Sequence, residues 1–293
     1  VGIVAPFAQP EVVKAVAGKG ASLFALELVP RITRAQAMDV LSSQANVAGY
    51  KSVLLAATAL PKMFPLLTTA AGTLAPAKVF IMGAGVAGLS AIATARRLGA
   101  VVEAYDVRPA VKEEVQSLGA RFVELELETG QEGAGSGAYA QEMGEEALRK
   151  QRELMAKTVA ASDVVITTAL VQGKQAPTLV TAEMVRAMTP GSVVVDLAAE
   201  QGGNCEVTEA GRTVDVDGVQ VIGPVNLPAT IPHHSSLMYA KNVTSVLGLL
   251  AKGGELAVDS EDEVITGSRV AKGGEVVNER VREALGAGEG VAT

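Results

Sequence analysis

The order of apolar and polar positions gives the chain most of its predicted elements. Runs rich in Val, Ile or Leu recur at 79–82, 101–105, 122–125, 164–167, 193–196 and 219–222, most of them separated by helical segments. Short apolar runs of this kind suit strands buried on both faces, and they predict a parallel sheet wound with helices on either side. Upstream, 1–5 and 23–28 read as two further strands, with a proline-started helix over 10–16 between them. A long helix is expected from an N-cap at Thr33 to about residue 57, where proline is absent. The Thr-, Ala- and Pro-rich stretch 61–76 is read as a connector across a domain boundary. Segment 126–144, with five glycines and several carboxylates, is expected to be a mobile surface loop. The tail predicts a strand at 264–270 and a short helix near 280–285.

The predicted fold class is therefore α/β: a doubly wound, parallel-sheet domain over 61–234 and a second α/β domain, incomplete at its N-terminal side, over 1–60 and 235–293. Composition agrees with close helix-on-sheet packing, since 48% of the 293 residues are apolar, only 3% are aromatic and Trp is absent. The net charge of −7 with no basic cluster argues against a nucleic-acid partner. Cys205, the single cysteine, excludes an internal disulfide and leaves no metal-ligand spacing; it reads as a small buried residue in a reducing, cytoplasmic setting. The uncharged stretch 79–95 is too short for a membrane span and is interrupted by three glycines. The chain opens Val-Gly-Ile-Val-Ala without Met, a basic segment or a cleavage site, so no signal peptide is expected.

The chemistry centres on Gly83-Ala84-Gly85-Val86-Ala87-Gly88, which follows the first strand of the regular region. In a Rossmann turn Gly83 permits the tight bend, Gly85 lets a pyrophosphate approach the backbone, and Gly88 lets the next helix lie close to the sheet. Free amides at that helix start then face the phosphates. Strand 101–105 leads into Asp106, about 20 residues beyond the turn, where a carboxylate accepts the ribose hydroxyls of an adenosine half. The same carboxylate repels the 2′-phosphate of NADP by roughly 4 kcal/mol at about 4 Å and an effective dielectric near 20. The expected dinucleotide is therefore NAD(H), with Arg108 softening the discrimination.

On the segment before Tyr50, Gln36, Asp39, Ser42 or Ser43, and Asn46 recur at helical spacing, with Arg31 just before them. Pattern alone fits a solvated face, although these groups suit a carboxamide, a ribose and a phosphate. The run Pro30-Arg31-Ile32-Thr33-Arg34-Ala35-Gln36-Ala37-Met38-Asp39-Val40-Leu41-Ser42-Ser43-Gln44-Ala45 resembles the cofactor-clasping segment of proton-translocating NAD(P) transhydrogenases. The likeness continues through the glycine turn, Tyr105-Asp106-Val107-Arg108, Tyr139, Thr167-Thr168-Ala169-Leu170 and Asp196-Leu197-Ala198-Ala199-Glu200-Gln201-Gly202-Gly203-Asn204-Cys205.

That resemblance implies the peripheral NAD(H)-binding component, which passes a hydride to NADP(H) on a partner subunit while protons cross a membrane-spanning subunit. It also implies a homodimer at the cytoplasmic side of the inner membrane. Carried over residue by residue, Arg31, Gln36, Ala37, Met38, Asp39 and Ser42 hold the nicotinamide half, with Arg31, Gln36, Asp39 and Ser42 in the catalytic role. Gly83, Gly85, Val86, Ala87 and Gly88 take the pyrophosphate, and Asp106, Val107 and Arg108 the adenosine half. Tyr139 closes over the site with Ala138 and Gln151 nearby, and Thr168, Ala169 and Leu170 line the pocket. Two departures stand out. The family's first domain begins well upstream of Val1, which suggests a shortened chain or an absent start. No membrane span follows the last motif, which fits a separate subunit or an excised domain.

Hydride passage between two nicotinamides needs positioning rather than a general acid or base. A rival reading is an NAD-dependent amino-acid dehydrogenase like alanine dehydrogenase, whose chemistry requires a titrating group beside the ring. Here Glu200 stands where that family has Asp, and the histidines, His233 and His234, read as an exposed pair in a loop joining the domains. A third reading is a non-catalytic NAD(H)-binding module.

Overall fold

The computed structural model describes residues 1–124, 137–170, 173–252 and 255–289, apart from the side chains of 137–148, 252 and 287–289. The chain divides into two compact units, Val1–Ala45 with Pro228–Thr293, and Asn46–Leu227. The junctions fall at 45/46 and 227/228, whereas the connector suggests 60/61 and 234/235. The reason lies in helix α1 (Val40–Ala59), whose Val53 and Ala56 are buried in the core of the second unit. The connector itself carries a small hairpin, Leu67–Thr69 paired with Gly72–Leu74, with all six residues exposed.

The second unit is an open seven-stranded sheet built from β1 (Lys78–Met82), β2 (Val101–Tyr105), β3 (Arg121–Phe122), β4 (Val164–Thr167), β5 (Val193–Asp196), β6 (Thr213–Val216) and β7 (Val219–Ile222). Their order is β3-β2-β1-β4-β5-β7-β6. Every pairing is parallel except β7 with β6. All six apolar runs contribute a strand, and the chain direction across the sheet reverses between β1 and β4, the switch point of a doubly wound fold.

Alternate residues of the strands feed two cores, as the twofold repeat of extended backbone requires. Val79, Ile81, Val102, Ile166 and Val195 pack with Ala91, Ile92 and Ala95 of helix α2 (Val86–Arg97). Phe80, Met82, Val165, Val194 and Val221 face the other way, toward Met155 and Val159 of helix α3 (Gly137–Ala160). The strand β6 is an addition to the expected set. Asp217 and Gly218, at φ 51° and 84°, form the two-residue turn that folds β6 antiparallel onto β7.

In the first unit the helix Pro10–Ala17 starts on Pro10, as expected, and packs Val13 and Ala17 against Val270 and Ala271. Those two belong to a three-stranded antiparallel sheet of Leu23–Phe24, Arg269–Lys272 and Glu275–Val276. The expected strand at 1–5 is reduced to a single bridge, Gly2 with Ala25, because Ala5 turns into the left-handed region at φ 46°. The expected strand at 23–28 ends at Phe24 and gives way to a 3-10 turn, Leu26–Leu28. Residues 264–270 do not form one strand. Asp262 caps a helix, Glu263–Ser268, through the Val264 amide at 2.9 Å, and the strand starts only at Arg269. The histidine pair lies in the first turn of helix α4 (Pro232–Leu250) rather than in a loop, since Pro232 opens that helix.

Candidate functional site

The glycine turn leaves β1 at Gly83, whose φ of 106° suits glycine. A Cβ there would lie 2.4 Å from Thr168 Oγ1, and a Cβ on Gly88 would lie 1.8 Å from the Gly83 carbonyl oxygen. Both glycines are thus demanded by packing at the start of α2. Gly85 differs: it is the N-cap of α2, has extended backbone, and a Cβ added to it meets nothing within 4 Å. Gly85 has no side chain to cap α2, and among the described residues no side chain bonds its first-turn amides, which leaves them to a group from outside the helix. Open space over Gly85 and uncapped amides at a helix start fit a pyrophosphate. Val86 is exposed at the opening, and the Ala87 carbonyl packs against Gly49 of α1 so closely that a Cβ on Gly49 would stand 2.0 Å from it.

Asp106 follows β2 and is bound to this turn. Its Oδ2 accepts the Ala84 amide at 2.7 Å, and its Oδ1 accepts the Arg108 amide at 2.9 Å. The Arg108 guanidinium adds Nε to Oδ1 at 3.0 Å and Nη2 to Oδ2 at 3.2 Å. Burial works to raise the Asp106 pKa, but Arg108 and the two backbone amides outweigh it and hold the carboxyl below its ordinary value. A carboxylate offers about four acceptor positions, and these four donors fill them. A ribose hydroxyl at Asp106 would compete with the exposed Arg108 guanidinium, a refinement of the simple carboxylate-to-ribose expectation. Val107 is exposed at 78%. Gln151 donates to the Tyr105 hydroxyl, whose pKa is raised by burial and by the charge of Asp106.

Beyond β4, Thr168 donates from Oγ1 to the Gly83 carbonyl at 3.0 Å, so the lip of β4 is bound to the glycine turn. Ala169 is held through both backbone groups by the Asn204 side chain, and Leu170 is half exposed. Cys205 is buried, as read from the sequence, and burial pushes its thiol pKa up, which disfavours the reactive thiolate form. Glycine turn, acid and lip are therefore one connected group on the second unit. Backbone for Ala138 and Tyr139 lies in the first turn of α3, but their side chains fall outside the described residues.

The remaining candidates sit on the first unit, and here one expectation is corrected. There is no continuous helix from Thr33. A 3-10 turn spans Thr33–Met38, Asp39 leaves helical geometry at ψ 88°, and α1 begins at Val40. Asp39 is the cap of α1: its Oδ1 accepts the Ser42 amide at 2.9 Å and its Oδ2 the Ser42 hydroxyl at 2.6 Å. Asp39 and Ser42 thus hold each other, while Arg31 and Gln36 are exposed with no side-chain partner among the described residues. Met38 is buried in the unit's core with Val40 and Val246. The turn is fastened from α4 by Asn242, a residue the sequence pattern does not single out. It donates to the Ala37 carbonyl at 2.8 Å and accepts the Ser43 hydroxyl at 2.7 Å. Asn46 bonds not with this group but with the Ser90 hydroxyl of α2, at 2.8 Å through its carbonyl.

Residues 1–48 match the N-terminal domain, and 52–279 the C-terminal domain, of the family described as Alanine dehydrogenase/PNT. The chain belongs to that family. It is 46% identical to the first portion of the NAD(P) transhydrogenase subunit alpha of Rhodospirillum rubrum, over 91% of its own length and 70% of the relative's. A solved structure of transhydrogenase from Sinorhizobium meliloti superposes with a TM-score of 0.85 at 49% identity, covering 94% of this chain and 74% of that one. Alanine dehydrogenase of Bacillus subtilis is 28% identical over 95% of this chain and 69% of its own. Within the family the chain therefore stands nearer these transhydrogenases than this alanine dehydrogenase. Among the described residues no helix is long and apolar enough to cross a membrane.

Proposed function

We propose that this chain is the NAD(H)-binding component of a proton-translocating transhydrogenase, and that its NADH gives a hydride to NADP bound on a partner subunit. The observation that carries the reading is the uncapped start of α2 under Gly85, with the Asp106 carboxylate bound beside it. Gly83, Gly85, Val86, Ala87 and Gly88 receive the pyrophosphate; Asp106, Val107 and Arg108 receive the adenosine ribose. Thr168, Ala169 and Leu170 line the pocket, with Ala138, Tyr139 and Gln151 on its α3 side. Arg31, Gln36, Ala37, Met38, Asp39 and Ser42 hold the nicotinamide half, and of these Gln36 steers the ring. Two exposed side chains without internal partners among the described residues, Arg31 and Gln36, are available for that task.

The partners on this reading are the NADP(H)-binding and membrane-spanning subunits, at the cytoplasmic face of the inner membrane, and a second copy of this chain. The hairpin 67–74 supports the last, because it is exposed and carries no charge that would protect its edges. Fluorescence titration with NADH, with and without the partner subunits, tests binding. Replacing Gln36 with Ala should slow single-turnover hydride transfer far more than it weakens NADH binding; unchanged transfer removes Gln36 from the mechanism. The alanine dehydrogenase reading needs an acid-base group, and the geometry disfavours it. Glu200 is exposed and accepts the Asn226 amide at 3.3 Å, while His233 and His234 are exposed and stack edge to face at 5.0 Å. NAD reduction driven by alanine would reverse this preference. Tight NADH binding with no transfer to partner-bound NADP would leave a binding module only.

A further inference from the structure

We propose that Asn204 is a positioning residue of the cofactor site, one that fixes the lip after β4 against the nicotinamide half of the dinucleotide. This rests on the NAD(H) reading above. Asn204 is completely buried, and both ends of its side-chain amide are hydrogen-bonded to main chain. Oδ1 accepts the Ala169 amide at 2.9 Å, and Nδ2 donates to the Ala169 carbonyl at 2.9 Å and the Pro177 carbonyl at 2.8 Å. It thereby continues for Ala169 the backbone pairing that the chain gives up where β4 ends at Thr167. Only a primary amide matches both groups of one residue, because it donates and accepts in a single plane.

Asn204 is itself anchored. Its own N–H goes to Asp196 Oδ2 at 2.7 Å, and its carbonyl accepts the amides of Leu179 and Val180 at 2.7 and 3.0 Å. Asp196 has no exposed surface and accepts further from the Thr167 hydroxyl, the Ala198 and Cys205 amides and the Thr208 hydroxyl, each within 2.9 Å. On the far side, Thr168 links the lip to Gly83. The contacts from Asp196 through Asn204 and Ala169 to the glycine turn are continuous, so a shift of the amide is felt at the lip. In a doubly wound sheet β4 lies across the switch point from the acid of β2. Its lip therefore serves the half of a dinucleotide remote from the adenosine.

The test compares NADH with AMP, which shares only the adenosine half, on the full chain. Asn204→Asp keeps the shape but replaces both donors with an oxygen facing two carbonyl oxygens. We expect its NADH Kd to rise about tenfold or more while its AMP Kd stays within about twofold, with Asn204→Ser intermediate. Equal weakening of both ligands would mark Asn204 as merely structural and overturn the proposal, as would unchanged NADH affinity in either folded variant. If Asn204→Asp does not fold, Asn204→Ser carries the same comparison. Failure of the unaltered chain to bind NADH would instead overturn the NAD(H) reading, and this inference with it.

Discussion

The glycine turn of the second unit and the 31–42 segment of the first hold their candidate groups in opposite ways. At the turn, the donors are backbone amides set by buried strands, and a side chain on Gly88 would begin on the main chain of Gly83. In the 31–42 segment the exposed candidates, Arg31 and Gln36, lie before and on a short 3-10 turn, which the buried Asn242 fastens and after which Asp39 caps α1. A phosphate needs fixed dipoles and little else, so it is served by the frame itself. On the proposed reading a ring that must be aimed would rely on side chains whose support is replaceable, so substitutions should act differently on the two segments.

The largest effect is expected at the turn. Gly88→Ala places a methyl group on the Gly83 carbonyl oxygen, which must shift, and overpacking of this kind costs about 1–3 kcal/mol. A lowered Tm with NADH binding lost would agree; wild-type affinity would show the turn to be more pliant than described. Next comes Asn242→Ala, which removes the donor to the carbonyl of the exposed Ala37 and the acceptor of the Ser43 hydroxyl, at about 0.5–1.5 kcal/mol per hydrogen bond. Here hydride transfer should slow while AMP binding is retained; equal loss of both would erase the contrast between the two segments.

A smaller effect is expected for Arg108→Ala. It frees acceptor positions on Asp106 and, on the proposed reading, would remove the cation that softens rejection of a 2′-phosphate, so preference for NADH over NADPH should grow by roughly threefold to tenfold, given the exposure of the guanidinium. Competitive titration measures it, and a preference moving toward NADPH would contradict the role given to this pair. The smallest effect concerns pH. Because the folded state holds the Asp106 carboxyl below its ordinary value of 3.8, its contribution is fully present above that pH and is lost as pH falls through the depressed value. The difference in Tm between wild type and Asp106→Asn should shrink below about pH 4; a constant difference would locate the effect elsewhere.

The sheet was legible because strands buried on both faces cannot hide their apolar runs, and the glycines and Asp106 were legible because their spacing follows from that frame. What the pattern misjudged was local competition. Helical spacing from Gln36 to Asn46 suggests a single helix face, but the Asp39 carboxylate binds the Ser42 amide and restarts the helix at Val40. The edge strand β6 alternates exposed and half-buried residues, so no apolar run announced it, although Asp217-Gly218 is a hairpin signal. Asn204 stood in a run that carries the resemblance, but its role was not legible, and Asn242 left no trace, since they bind main-chain carbonyls 35 and 205 residues away. Contacts of that kind have no residue-type signature.

The reversed strand β6 also sets a limit on the architecture. Its outward positions, Thr213 and Asp215, place a carboxylate on the margin of the sheet, with Asp217 at the adjoining bend. Charged side chains along an edge strand disfavour its pairing with a further strand. A carboxylate placed there is one of the devices by which a sheet discourages another chain from continuing it.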